Sequence, residues 1–125
     1  MDTVQTTTEK LLAHKEGPIG WITFNNPARH NAVSMSMWES LPRALAGFER
    51  DPQVRLVIVR GAGEKAFISG ADISEFQEKR SSEEATQAYN AAGDAALAAL
   101  YEFPKPTIAM IRGFCIGGGC GIAVC

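Results

Sequence analysis

Basic blocks are missing from this 125-residue chain: 12 Lys and Arg stand against 14 Asp and Glu, and the cations are scattered. Nucleic-acid binding therefore has little support. The first residues, Met1 to Lys10, are polar and rich in Thr and lack the cationic start and apolar core of a signal peptide. No apolar stretch reaches membrane length, and no repeat or low-complexity tract occurs. These absences predict a soluble, cytoplasmic protein. Cysteine is sparse as well: Cys115, Cys120 and Cys125 are odd in number and five residues apart. Zinc sites favour pairs two to four residues apart with a nearby His or fourth Cys, so no metal site is expected. A catalytic thiol would need cationic neighbours, and Arg112 alone is near, so buried free thiols are expected. Two His residues and no G-x-S-x-G elbow leave serine hydrolase chemistry unsupported.

What is present is one domain's worth of apolar sequence. Hydrophobic residues make up 46% of the chain, enough to bury roughly two thirds of the unfolded surface. Leu11 to His14 and Ile19 to Phe24 are β-prone runs separated by Lys15-Glu16-Gly17-Pro18, which predicts a hairpin. Asn25-Asn26-Pro27 breaks the second strand. From Ser34 to Arg50, the residues Met37, Trp38, Leu41, Leu45 and Phe48 recur at helical spacing. Pro42 either kinks that helix or starts it afresh with Ser40 as cap. Val54 to Val59 and Thr107 to Ile111 read as buried parallel strands. Ser82 to Phe103 reads as a helix ended by Pro104 and Pro106. The alternation of strand and helix predicts an α/β fold with right-handed crossovers.

Two glycine loops carry the chemistry: Phe67-Ile68-Ser69-Gly70-Ala71-Asp72-Ile73 and Gly113-Phe114-Cys115-Ile116-Gly117-Gly118-Gly119-Cys120. Each is expected at the carboxyl end of a parallel strand, where open α/β sheets bind ligands. Asp72-Ile73-Ser74-Glu75 has capping-box spacing, which predicts a helix to about Lys79 and leaves the Ala71 N–H outside it. Gly118 is expected at the start of the last helix, where unpaired N–H groups favour an anion. Two such groups converging in a dry site would hold the negative oxygen that forms when a carbonyl becomes an enolate or a tetrahedral adduct. The alternative for Gly117 to Gly119 is that they merely permit close helix packing.

In these loops and in the segments around them, the chain resembles the crotonase (enoyl-CoA hydratase/isomerase) superfamily. The resemblance rests on Asn26-Pro27-Ala28-Arg29-His30-Asn31-Ala32, Lys65-Ala66-Phe67-Ile68-Ser69-Gly70-Ala71-Asp72-Ile73, Lys105-Pro106-Thr107-Ile108-Ala109-Met110-Ile111-Arg112-Gly113-Phe114 and the GGG run, in that order. It covers nearly all of the chain after about residue 10, and about the first half of a typical member. It implies a spiral of β-β-α units cut off after the GGG helix start, with residues 1–10 a polar segment and 11–125 the N-terminal part of the domain. It implies a coenzyme A thioester as substrate, no permanently bound cofactor, and trimers or paired trimers. By the same resemblance the N–H groups of Ala71 and Gly118 form an oxyanion hole. Arg29 lies near the CoA phosphates unless it is a solvated loop charge, and the segment of Ser69, Ala71, Asp72 and Ile73 receives the adenine. His30 is expected to be a loop residue.

One departure bears on the reaction. Hydratases of the family carry a glutamate directly after GGG-x, and this chain has Gly121; the second hydratase glutamate is expected beyond Cys125. Paired acids are the usual means of adding water across a double bond. The expected function is therefore a hydratase/isomerase-type enzyme whose acid/base is not visible, with a non-catalytic thioester-binding module as the alternative. A dinucleotide-binding reading of Gly61-Ala62-Gly63-Glu64-Lys65-Ala66 requires a helix to open within that motif.

Overall fold

The computed structural model describes residues 2–4, 8–71 and 83–125. The polar N-terminal segment supplies strand β1 (Asp2–Val4), which pairs antiparallel with β2 (Leu11–Glu16). Strand β2 turns through Gly17, at φ 56°, into β3 (Ile19–Phe24), the hairpin that the sequence predicts. Helix α1 (Met35–Arg50) follows, then β4 (Leu56–Gly61), β5 (Ala66–Ile68), helix α2 (Glu83–Tyr101), β6 (Thr107–Met110), β7 (Phe114–Cys115) and helix α3 (Gly118–Ala123). The main sheet runs β1-β2-β3-β4-β6, and its last three strands are parallel. Strands β5 and β7 pair parallel in a separate two-stranded sheet.

The crossover from β3 to β4 passes through α1 alone, whereas β4 is followed by β5 and α2, and β6 by β7 and α3, which makes the β-β-α unit. The turns at Gly70 and Gly117 accordingly follow β5 and β7, so they lie at the carboxyl ends of parallel strands as expected, and those strands belong to the second sheet. Two- and three-residue strands are too short to show a period-2 pattern, so this sheet leaves no mark in the sequence.

The core lies between one face of the main sheet and the two long helices. Alternation sends Ile22, Phe24, Val57 and Val59 to the same side, where they join Leu41, Leu45 and Phe48 of α1. Gly20 belongs to that face because a Cβ there would sit 2.9 Å from the Phe48 ring. Helix α1 starts at Ser34, whose hydroxyl accepts from the Met37 N–H while its own N–H donates to the Met37 sulfur. The helix runs through Pro42 without a fresh start. Ser40, the other cap candidate, is fully buried in mid-helix. At the far end, the Lys105 ammonium donates to the Phe48 and Asp51 carbonyls, satisfying groups that a helix leaves open at its C-terminus.

On the opposite sheet face, His14 stacks on Trp21, and the Arg60 guanidinium lies 4.3 Å from the Trp21 ring centroid while its Nε donates to Thr23. Burial, and secondarily the charge of Arg60, holds the His14 pKa below the ordinary 6.5. Among the described residues no helix is long and apolar enough to cross a membrane.

Candidate active site at two glycine loops

The first loop is built from the segment after β3. A short 3₁₀ turn, Pro27–Arg29, leads into His30 and Asn31, both with positive φ, at 51° and 58°. Consecutive non-glycine residues in that region need outside support, and the Asn31 side chain supplies it. Its carbonyl accepts from the Asn26 N–H at 3.0 Å, and its amide donates to the Ala62 and Ala66 carbonyls, each at 2.9 Å. That side chain ties the segment around the 3₁₀ turn to the turn before β5.

The main chain then holds the loop directly. The Ser69 N–H donates to the His30 carbonyl at 3.1 Å, and the Ser69 hydroxyl donates to the Arg29 carbonyl at 3.2 Å. The Val33 N–H donates to the Gly70 carbonyl at 2.7 Å, as part of a parallel bridge between Val33 and Ala71. In a trans peptide the carbonyl and the following N–H point in opposite directions, and no peptide bond here is cis. Bonding the Gly70 oxygen to Val33 therefore turns the Ala71 N–H away from Val33. Gly70 makes the bend at φ 131°, which a side chain would resist.

The second loop aims its donor locally. Gly117, at φ 55°, is the residue before α3, and its carbonyl accepts from the Gly121 N–H at 3.1 Å. The same opposition sends the Gly118 N–H outward from the helix start. The two loops touch: a Cβ on Gly117 would lie 3.7 Å from the Gly70 Cα, and one on Gly70 would lie 3.8 Å from the Ile116 oxygen. A Cβ on Gly119 would run into the Ile68 carbonyl oxygen, so the last glycine of the GGG run sets how closely α3 packs on β5. The close-packing reading of the glycines thus holds at Gly119.

Of the predicted site residues, Ala71 and Gly118 come together through these loops, and Arg29 and Ser69 are joined through the main chain. Asp72, Ile73 and the predicted helix from Asp72 to Lys79 lie outside the described residues. His30 is the loop residue expected, and its ring meets Phe114 edge-on at 5.6 Å, linking the first motif to the second loop. The thiols depart from expectation: Cys115 is half-buried, whereas Cys120 and Cys125 are exposed. Gly119 and Ile122 take the inward positions of α3 instead. Burial raises the Cys115 pKa, the wrong direction for a nucleophile. Among the described residues no group of three His, Cys, Asp or Glu side chains is placed to hold a metal ion.

The rival motif at Gly61 opens no helix. The chain enters β5 at Ala66, and a Cβ on Gly61 would meet the Ala66 and Phe67 carbonyls, so this glycine serves a chain reversal. Gly61, Ala62 and Gly63 line a cavity of about 310 Å³ with Thr23, Arg60 and Arg112. Sequence reasoning missed Asn31, Val33, Trp38 and Tyr89 as builders of the loops. The one local signal was Asn31, since Asn tolerates a left-handed backbone better than most residues.

A β-β-α spiral with paired glycine loops at the ends of its second sheet defines a class, the crotonase fold. The chain belongs to the enoyl-CoA hydratase/isomerase family, which it matches over residues 14–125. It is 36% identical over 114 residues to a short-chain-enoyl-CoA hydratase of Clostridium acetobutylicum, covering 91% of this chain and 43% of that protein. It is also 36% identical over 120 residues to the mitochondrial 3-hydroxyisobutyryl-CoA hydrolase of Rattus norvegicus, covering 95% of this chain and 31% of that protein. Among solved structures, an enoyl-CoA hydratase/isomerase family protein from Hyphomonas neptunium superposes with a TM-score of 0.89 at 37% identity, over 95% of this chain and 45% of that one. The chain thus spans less than half the length of each of these three proteins.

Proposed function

We propose that the protein acts on an acyl-CoA thioester, in a hydratase/isomerase-type reaction, by holding the enolate oxygen between the N–H groups of Ala71 and Gly118. The observation that carries this reading is the pair of opposed peptides: the Gly70 and Gly117 carbonyls are both engaged, at 2.7 and 3.1 Å, which directs the following N–H groups away from Val33 and from the body of α3. Family membership supplies the substrate class, since relatives named for hydration and for hydrolysis both act on CoA thioesters by name. On the same reading Arg29 lies near the CoA phosphates, and the segment from Ser69 to Ile73 receives the adenine. Residues 11–125 form the N-terminal part of the domain, and the whole protein assembles as a trimer or pair of trimers.

Gly121 favours a second reading, a thioester-binding module without turnover, because the position that carries a hydratase glutamate has no carboxylate here. Substituting Gly118 with Pro and, separately, with Ala in the full natural polypeptide tests the first reading. Both add a Cβ toward Trp38, but only Pro removes the N–H, and Pro is tolerated at the first helical position. Turnover of an acyl-CoA should fall about 10²–10³-fold more in Gly118→Pro than in Gly118→Ala. Equal activities would sink the oxyanion role of Gly118, and acyl-CoA binding without turnover in the unsubstituted protein would establish the second reading.

A further inference from the structure

Trp38 and Tyr89 stand far from both glycine loops in sequence, yet one hydrogen-bonded chain leads from them to the first loop. The Trp38 Nε1–H donates to the Tyr89 hydroxyl at 3.0 Å, and that hydroxyl donates to the Val33 carbonyl at 3.0 Å. Val33 in turn gives its own N–H to the Gly70 carbonyl at 2.7 Å. All three residues are buried, Trp38 at 5%, Tyr89 at 8% and Val33 at 0% exposure. Water does not compete for these bonds there, the indole bond polarises the Tyr89 hydroxyl, and the Val33 backbone carries the positional constraint on to Gly70.

The same indole backs the second loop. A Cβ on Gly118 would lie 3.2 Å from Trp38 Cζ2 and 3.5 Å from Cη2, so the ring edge fixes how far the Gly118 backbone can retreat. Trp38 is itself immobilised. It sits on the buried face of α1, and α2 approaches it closely at Gly93, where a Cβ would lie 3.8 Å from its Cε2.

We infer that Trp38 and Tyr89 are positioning residues that set the Ala71 and Gly118 N–H groups in register with each other. The inference rests on the oxyanion reading above and deepens it. Neither side chain touches the substrate. Trp38 sets one donor by contact, and through Tyr89 and Val33 it sets the other. A single rigid aromatic group joining two loops accounts for a tyrosine hydroxyl and an indole N–H placed in the core, where each needs a dedicated partner.

Tyr89→Phe in the full natural polypeptide tests this, because it keeps the ring and deletes the hydroxyl between Trp38 and Val33. The first readout is the carbonyl stretching frequency of a bound, unreactive acyl-CoA thioester, measured by isotope-edited difference infrared spectroscopy. In the unsubstituted protein the band should move to lower frequency on binding, and in Tyr89→Phe it should return part of the way. The second readout is kinetic: kcat should fall about tenfold, a misaiming effect smaller than loss of a whole donor, with KM within about twofold. A Tyr89→Phe protein with an unaltered band and unaltered kcat overturns the inference. No band displacement in the unsubstituted protein overturns the oxyanion reading, and the inference with it. If Tyr89→Phe does not fold, Trp38→Phe gives the same two readouts, since it keeps the Tyr89–Val33 bond and removes the ring edge behind Gly118. An unaltered band in that variant likewise overturns the inference.

Discussion

The two glycine loops direct a backbone N–H by different means. In the second loop the bond that turns the N–H lies within five residues: Gly117 takes a positive φ, and its carbonyl is taken up by the Gly121 N–H. In the first loop the corresponding carbonyl, that of Gly70, is taken up by Val33 from the other side of the chain's first crossover helix. The first donor is therefore a tertiary feature that depends on Asn31, Val33 and Tyr89. The second is a local feature that depends on its own glycines and on the room they leave. The direction of a backbone group can be as remote in its causes as that of any side chain.

That contrast can be broken most severely at Gly119. A methyl group there meets the Ile68 carbonyl, backbone against backbone, and neither can rotate away. Gly119→Ala is expected to destabilise the protein by about 3 kcal/mol, the upper end of overpacking effects, seen as a lowered midpoint in denaturant titration. The same change at Gly121 finds only the Leu97 methyls at 3.8 and 3.9 Å and should be nearly neutral. Equal midpoints for the two variants would contradict the close packing of α3 on β5.

Asn31→Ala attacks the remote support of the first loop instead. It leaves the Ala62 and Ala66 carbonyls and the Asn26 N–H without this partner and puts alanine in a left-handed conformation. A loss of about 2 kcal/mol is expected. Hydrogen exchange should quicken at Ser69, whose N–H bonds the adjacent His30 carbonyl, while the Gly121 amide keeps its protection. Uniform quickening in both loops would show that they are not supported separately.

The mildest test lies on the far sheet face, away from both loops. His14 has a pKa below 6.5 because of burial first and the charge of Arg60 second. The folded state therefore binds this proton less readily than the unfolded chain. The corresponding stability is present above the ordinary histidine range and is lost as pH falls through the lowered value. Arg60→Gln should raise the His14 pKa and narrow that window, as read from its imidazole proton shifts in an NMR titration. Catalysis attributed to the loops should not respond, and an unmoved His14 titration would contradict the contribution of Arg60.

Much of this architecture was legible. The apolar spacing from Met37 to Phe48, the hairpin around Gly17 and the proline stop after Phe103 are local signals, and each corresponds to an observed element within a few residues. The start of α1 was not decidable, because Ser34 and Ser40 are both chemically fit to cap and only burial of Ser40 separates them. Strands β5 and β7 escaped notice because their pairing is long-range and their length is two or three residues. At the candidate site, Gly118 could be placed from its own neighbourhood. The bond that turns the Ala71 N–H could not, since it comes from Val33. Tyr89, in an alanine-rich helix, carries no sign in the sequence that its hydroxyl faces Val33.

The central claim is that one thioester oxygen meets both donors. It is tested most directly by a crystal structure of the full natural polypeptide with an unreactive acyl-CoA thioester bound. The account predicts a carbonyl oxygen within about 2.7–3.1 Å of both the Ala71 and the Gly118 nitrogens. An oxygen bonded to neither nitrogen, or to one of them alone with the other bonded within the protein, would contradict it.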